Sequence, residues 1–308
     1  MNRYPEHVFH YTTPAGLLGI LRSRAIWAAQ TGFLNDLTEL RVATDIALAE
    51  IDRCAAEWQR KGPAWEFRRQ GLQAMRQIAE TPHPMVFVAS LSRLEDDLSQ
   101  WRGYCRGTGG YALAIPRALL QRVADANGCE FVECIYDPGE HQRLVLALVR
   151  EFIANLEQVE PPAEQPADAS AFWARRGVST RRREQRDFYP EFYRSLWRLA
   201  ARLKHPAFEH EAEWRLIAVL DGDTRAEIML REGSQTLVPY VEIPITGERN
   251  LSKLPPDLCV DGDPNASLGI VVGPSADVHA SRTAAELVLR RYIGEHCWTA
   301  ESEVPYRD

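Results

Sequence analysis

No CxxC pair occurs among the six cysteines (Cys54, Cys105, Cys129, Cys134, Cys259 and Cys297), which lie scattered along the chain. In a protein of this size that usage reads as buried or free thiols in a reducing compartment. No stretch approaches the roughly 20 consecutive apolar residues of a membrane helix. The opening MNRYPEHVFHYTT lacks the apolar centre of a secretory signal, so the expected address is the cytoplasm, without membrane contact. A basic surplus is missing as well: the formal net charge of −7 argues against a dedicated duplex-binding protein. Also absent are a GxGxxG opening a helix after a strand, a GxxxxGK[ST] loop, a GxSxG elbow and an HExxH pair. Their absence sets aside the Rossmann fold, P-loop nucleotidases, α/β-hydrolases and zincins. His205, His210, Glu211 and Glu213 match no familiar ligand spacing, and no metal is expected.

What is present is a globular composition, 45% hydrophobic and 26% charged over 308 residues, which rules out wholesale disorder. Alternation around Val8 and Phe9 predicts a strand from His7 to Thr12, and Thr13-Pro14 then opens a short helix with one Leu/Ile face. Gly32-Phe33-Leu34-Asn35-Asp36 reads as a loop, and helical spacing predicts two helices between Asp36 and Glu80, the second after Pro63. Met85 to Ser92 reads as a buried strand with a polar end. A short helix ends at Trp101–Tyr104, and strands are expected at Tyr111–Ile115 and Glu130–Tyr136. A helical insertion is expected over about 139–205, with a Pro/Ala/Glu-rich spacer inside it. Strands are then expected at Glu211–Leu220, Leu237–Ile243 and Leu268–Val272, followed by a helix at Thr283–Tyr292 and a short strand near Val304. Strands broken by helices without a βαβ rhythm predict one α+β domain over 1–308.

Three groups of polar residues carry the candidate chemistry. His10 sits at the end of the first strand, where a histidine is more often structural than functional. Ser90 and Ser92, two apart on a strand, share a face. Glu211 and Glu213 open a strand, so their carboxylates are expected on one face, with mutual repulsion raising one pKa. Salt bridges to Arg215 or Lys204 are the alternative account of that pair. Between Ala171 and His205 stand ten Lys/Arg against three Asp/Glu. This is either a solvated helix face or, through Arg175, Arg176, Arg181, Arg182 and Arg183, a surface for a nucleic-acid partner.

Taken in order, several short motifs resemble the widespread bacterial domain-of-unknown-function family 2971. They are His10-Tyr11-Thr12, Phe33-Leu34-Asn35-Asp36, Ser90-Leu91-Ser92, Gln100-Trp101-Arg102-Gly103-Tyr104, Gly110-Tyr111-Ala112-Leu113, Glu211-Ala212-Glu213-Trp214-Arg215, Val271-Val272-Gly273-Pro274 and Val304-Pro305-Tyr306-Arg307. That family is similar at fold level to the ADP-ribosyltransferase superfamily, whose members hold NAD in a split between two small sheets and include toxins acting on nucleic acid. The resemblance implies a split-sheet core and NAD as substrate. It makes Glu213 catalytic with Glu211 as the preceding acid, and implies cofactor contacts from His10, Tyr11, Thr12, Asn35, Ser90, Ser92, Trp101 and Tyr104. The superfamily pairs His with Tyr, or Arg with Ser-x-Ser; this chain mixes the two. The expectation is an NAD-dependent ADP-ribosyltransferase acting on protein or nucleic acid, as a toxin or defence factor. The alternatives are an NAD hydrolase and a non-catalytic binding module.

Overall fold

A computed structural model of the chain describes residues 3–33, 39–62, 65–82, 84–105, 109–159, 188–220, 227–233, 236–245, 267–294 and 297–305. The strands are β1 (His7–Thr12), β2 (Ala25–Gln30), β3 (Val86–Ser92), β4 (Tyr111–Pro116), β5 (Glu130–Glu133), β6 (Glu213–Val219), β7 (Met229–Glu232), β8 (Leu237–Pro244), β9 (Gly269–Val272) and β10 (Trp298–Glu301). The helices are α1 (Pro14–Ser23), α2 (Glu39–Arg60), α3 (Glu66–Ala79), α4 (Leu98–Tyr104), α5 (Arg117–Asn127), α6 (Pro138–Glu157), α7 (Phe188–Ala200) and α8 (Val278–Tyr292). The mixed α+β class follows directly. No helix among the described residues is long and apolar enough to cross a membrane.

β3 organises the sheet. One edge pairs with β6 from Val86↔Val219 to Ser92↔Glu213, and β5 extends that side. The other edge is shared: β2 pairs at Phe87 and Val88, and β1 pairs at Ser92. Beyond the fork, β1 leads to β4, β9 and β10, while β2 leads to β8 and β7. Between the two prongs, at Ser90, neither β1 nor β2 is in register with β3.

The period-two pattern of β3 sorts its faces. Phe87, Ala89 and Leu91 join a core with α1, α5 and α8 residues, including Ile20, Leu120 and Leu289. Val86 and Val88 face the other way with Ile217, under a layer built from α2, α3, α6 and α7. The second row continues as Ser90 and Ser92, opposite Arg215 and Glu213. Along one face the cross-strand pairs therefore change from Val–Val and Val–Ile to Ser–Arg and Ser–Glu, and the apolar layer gives way to a polar end. The helices α6 and α7 lie in the segment expected as an insertion, and they share a core with α2, α3 and the sheet. The basic cluster Arg175, Arg176, Arg181, Arg182 and Arg183 falls outside the described residues, as does Asn35.

Several expectations are corrected. β2, β7 and α5 were not anticipated, the terminal strand lies at Trp298–Glu301 instead of near Val304, and β5 stops at Glu133. α8 begins at Val278, where the Asp277 carboxylate caps Ala280 N–H at 2.9 Å. Glu211 is not on a strand: it ends a 3-10 turn, Pro206–Glu211, and Ala212 takes a left-handed conformation (φ 44°) before β6 begins.

Ile217 is fully buried between β3, β5 and the helical layer. Ile217→Ala is expected to cost about 2–5 kcal/mol, read as a lowered denaturant midpoint at unchanged slope; a loss below 1 kcal/mol would contradict this packing.

Candidate functional site

At the fork lies a cavity of about 600 Å³, within the roughly 300–1,000 Å³ range of small-molecule sites. It takes lining from both faces of β3, from β1 and the start of α1, from α4, and from the turn before β6. A larger cavity of about 1050 Å³ beside α2 and Trp197 is mainly apolar, with Arg41 and Glu80 as its charged lining and no convergent titratable cluster.

The polar end is built around one cation. Lys204 Nζ donates to Glu211 Oε2 at 2.5 Å and also to Glu213 Oε2. Arg215 donates from Nε to Glu213 Oε1 (2.7 Å) and from Nη1 to the Ala201 carbonyl (2.7 Å), tying β6 to the end of α7. Burial of Glu213, 4% exposed, would by itself raise its pKa, but Arg215 and Lys204 outweigh it and hold the carboxyl at about 2. Mutual repulsion therefore does not raise this acid, contrary to expectation. Burial likewise opposes the Lys204 charge, and the two glutamates overcome it, so its pKa is raised. Glu211 is brought to the same lysine not by strand alternation but by the Ala212 kink. Ser92, 3% exposed, fixes that kink: its hydroxyl donates to the Glu211 carbonyl (2.7 Å) and accepts from Leu94 N–H (3.0 Å). Ser92 thus positions the turn, whereas the Ser90 hydroxyl makes no bond and lines the cavity.

His10 completes the fork. Its Nδ1 is 2.9 Å from the Ser90 carbonyl, the group that neither neighbouring strand pairs. A carbonyl only accepts, so Nδ1 carries the proton and neutral His10 keeps Nε2 as an acceptor. Burial lowers its pKa, and the Arg231 charge adds to that effect against the Ser90 bond. Arg231, on the edge strand β7, also lines the cavity and has no ion pair. Thr13 caps α1 through Gly16 N–H at 3.2 Å. A Cβ on Gly16 would lie 2.2 Å from Thr12 Oγ1, so only glycine lets Thr12 pack over the first turn.

The aromatic candidates separate. Trp101 is 2% exposed, bonded through Nε1 to Asp96 (2.7 Å), and edge-on to Tyr11 at 4.5 Å; it belongs to the core and does not line the cavity. The Tyr11 hydroxyl is used twice, donating to Leu94 O (2.7 Å) and accepting from Asp97 N–H (3.1 Å), which fixes β1 to the start of α4. Tyr11 is thus held in place by its hydroxyl while remaining one of the residues that line the cavity. Tyr104, 40% exposed, lines the cavity, and burial together with Glu213 and Glu211 pushes its phenol up to about 12. Gln100, Phe208 and Arg231 line the cavity without having been singled out. For Gln100 a signal existed: Gln100 and Tyr104 are four apart on α4 and share a face, while Trp101 lies about 100° round. Nothing in the sequence marks Arg231. Among the described residues, no group of three or more His, Cys, Asp or Glu is placed to hold a metal ion.

The family model described as "Protein of unknown function (DUF2971)" matches residues 100–216, a little over a third of the chain. The matched stretch contains Gln100, Tyr104, Lys204, Glu211, Glu213 and Arg215, and it leaves out His10, Ser90 and Arg231. No curated protein and no solved structure matches the chain.

Because the folded Glu213 carboxyl lies below its ordinary 4.5, its contribution to stability is present above that value and is lost as the pH falls from about 4.5 to about 2. Its size is on the order of 3 kcal/mol. Glu213→Gln should remove this component of acid unfolding and lower stability at neutral pH, with two buried cations left underpaired. Equal acid-unfolding curves for the two proteins, followed by circular dichroism, would refute the assignment.

Proposed function

We propose that the cleft binds NAD and that the chain transfers ADP-ribose from it to a macromolecular acceptor, protein or nucleic acid. The observation that carries this reading is the convergence of an imidazole from β1 and two carboxylates, one ending the 3-10 turn and one opening β6, on one cavity at a forked sheet. In the reaction the bond between nicotinamide nitrogen and ribose C1′ breaks, and its electron pair leaves with nicotinamide. A nucleophile on the acceptor bonds to C1′ and gives up its proton. Positive charge develops on the ribose, as in glycoside hydrolysis, so fixed carboxylates beside it lower the barrier.

Roles follow from which atoms are free. Both Glu213 oxygens accept from Lys204 or Arg215, so Glu213 supplies a permanently ionised anchor. Glu211 bonds Lys204 through Oε2 alone, its side chain is 21% exposed, and Oε1 remains for the ribose or the nucleophile's proton. His10 Nε2 accepts from a ribose hydroxyl, Ser90 and Thr12 supply hydroxyls, and Arg231 meets the phosphates. Tyr104 and Phe208 offer faces to a ring. With water as nucleophile the same site is an NAD hydrolase. One observation favours a second reading, a nucleotide-binding module without turnover: the deep burial and double ion pairing of Glu213.

Purified protein with NAD is expected to release nicotinamide, measured by chromatography, and Glu211→Gln should slow release about 10²–10³-fold with NAD binding retained by calorimetry. Free ADP-ribose equal to nicotinamide identifies the hydrolase, and modified macromolecule identifies the transferase. Binding without release identifies the module. Neither binding nor release removes the NAD reading.

A further inference from the structure

The geometry points to Gln100 as the residue that reads a donor–acceptor edge on the ligand, the edge of a primary carboxamide or of a nucleobase. The assignment deepens the nucleotide reading of the cleft and rests on it for the choice of NAD as first probe. Gln100 is 6% exposed, lines the cavity, and its side-chain amide makes no hydrogen bond. Its neighbours are treated differently. Trp101 Nε1 is satisfied by Asp96, the Tyr11 hydroxyl is satisfied twice, and the Asp97 carboxylate caps Ser99 and Gln100 N–H. A buried amide without a partner is destabilising relative to an apolar side chain of the same shape. It is tolerated here because the amide is not sealed in: it is absent from the solvent-inaccessible polar atoms that lack a bond, so its limited exposure includes the polar tip within the cleft.

The chemistry of the partner follows from that tip. A carboxamide presents an oxygen acceptor beside two N–H donors in one plane, and its best complement is a planar group presenting the reverse pair. The cavity groups near it do not supply one: Lys204 is engaged by both glutamates and the Ser92 hydroxyl by the 3-10 turn. Gln100 shares its helix face with Tyr104, whose ring offers a surface for the same planar group. Nicotinamide carries such an edge in its carboxamide, and a nucleobase carries one in its ring; the two sources differ in which part of a dinucleotide lies against α4.

The test compares wild type, Gln100→Met and Gln100→Glu by calorimetry with NAD, ADP-ribose, AMP, GMP and ribose 5-phosphate, alongside melting curves. Methionine keeps the length and removes both polar groups, and glutamate keeps the shape but removes the donors. Gln100→Met should melt at or above the wild-type temperature if no protein partner is lost, whereas the glutamate variant carries an added cost for its buried charge. NAD affinity should fall about tenfold or more, with ribose 5-phosphate unaffected. ADP-ribose binding unchanged would place the nicotinamide carboxamide on Gln100; an equal loss for ADP-ribose and AMP would place the base there. NAD binding that is insensitive to both variants overturns the Gln100 assignment alone, as does a marked fall in the melting temperature of Gln100→Met, which would make the residue structural. Wild-type binding of AMP or GMP but not NAD, weakened by the variants, overturns the NAD reading and leaves Gln100 standing. No binding of any probe removes both.

Discussion

One lysine ammonium between two carboxylates holds the polar end of the sheet together. Lys204 leaves water to reach Glu213, and Glu213 leaves water to meet Lys204 and Arg215. Each of these charges alone would be strongly disfavoured at such depth; only the set is tolerable, because every charge faces an opposite one at hydrogen-bond distance. The set also has mechanical consequences. Arg215 reaches the Ala201 carbonyl at the end of α7, Lys204 N–H bonds Ile135 O, and Glu213 N–H donates to the Tyr136 hydroxyl. Helical layer, sheet and 3-10 turn are therefore registered against one another at the place where the cavity opens.

The fork in the sheet explains why a polar cluster is compatible with the core beside it. A continuous sheet would pair β3 along its whole length and leave no room between the faces. Here β1 and β2 diverge, and the carbonyl exposed at Ser90 would be an orphan without the His10 ring. The imidazole thus has a structural duty at Nδ1 and an uncommitted acceptor at Nε2. The charged groups fall into two neighbourhoods: Tyr104 senses Glu213, Glu211, Lys204 and Arg215, whereas His10 senses Arg231. The cavity lining therefore runs from the Lys204, Glu211, Glu213 and Arg215 cluster to Arg231 and Glu232 on β7.

What was legible in the sequence is what obeys local periodicity. The Val86 to Ser92 row, the Thr13-Pro14 helix start and the polar end of β3 follow from alternation and capping alone. His10, Ser90, Ser92, Tyr104, Glu211 and Glu213 were singled out and do line one cavity. What failed was geometry that periodicity does not encode. Glu-x-Glu reads as two acids on a strand face, and the left-handed Ala212 breaks that reading while still delivering both to Lys204. Trp101 could stack on a ligand ring or pack in the core by its sequence alone; α4 turns it into the core and turns Gln100 toward the cavity. β7 is four residues long and entirely exposed, so it lacks the apolar alternation that announces a strand, and Arg231 went unmarked with it.

The two glutamates also illustrate how a motif and a mechanism divide. In the quartet of Lys204, Arg215, Glu211 and Glu213 two positive charges face two negative ones, so the field at the cavity depends on how these charges are distributed. The cations lie against Glu213, whose two oxygens are both engaged, and the compensation is therefore concentrated on the deeper acid. Glu211 bonds Lys204 through one oxygen and lines the cavity with a side chain that is 21% exposed, so the less compensated charge belongs to the shallower acid. Glu213 pins Lys204, which would otherwise be drawn wholly to Glu211. The deeply buried pair is thus what leaves Glu211 the less compensated of the two carboxylates.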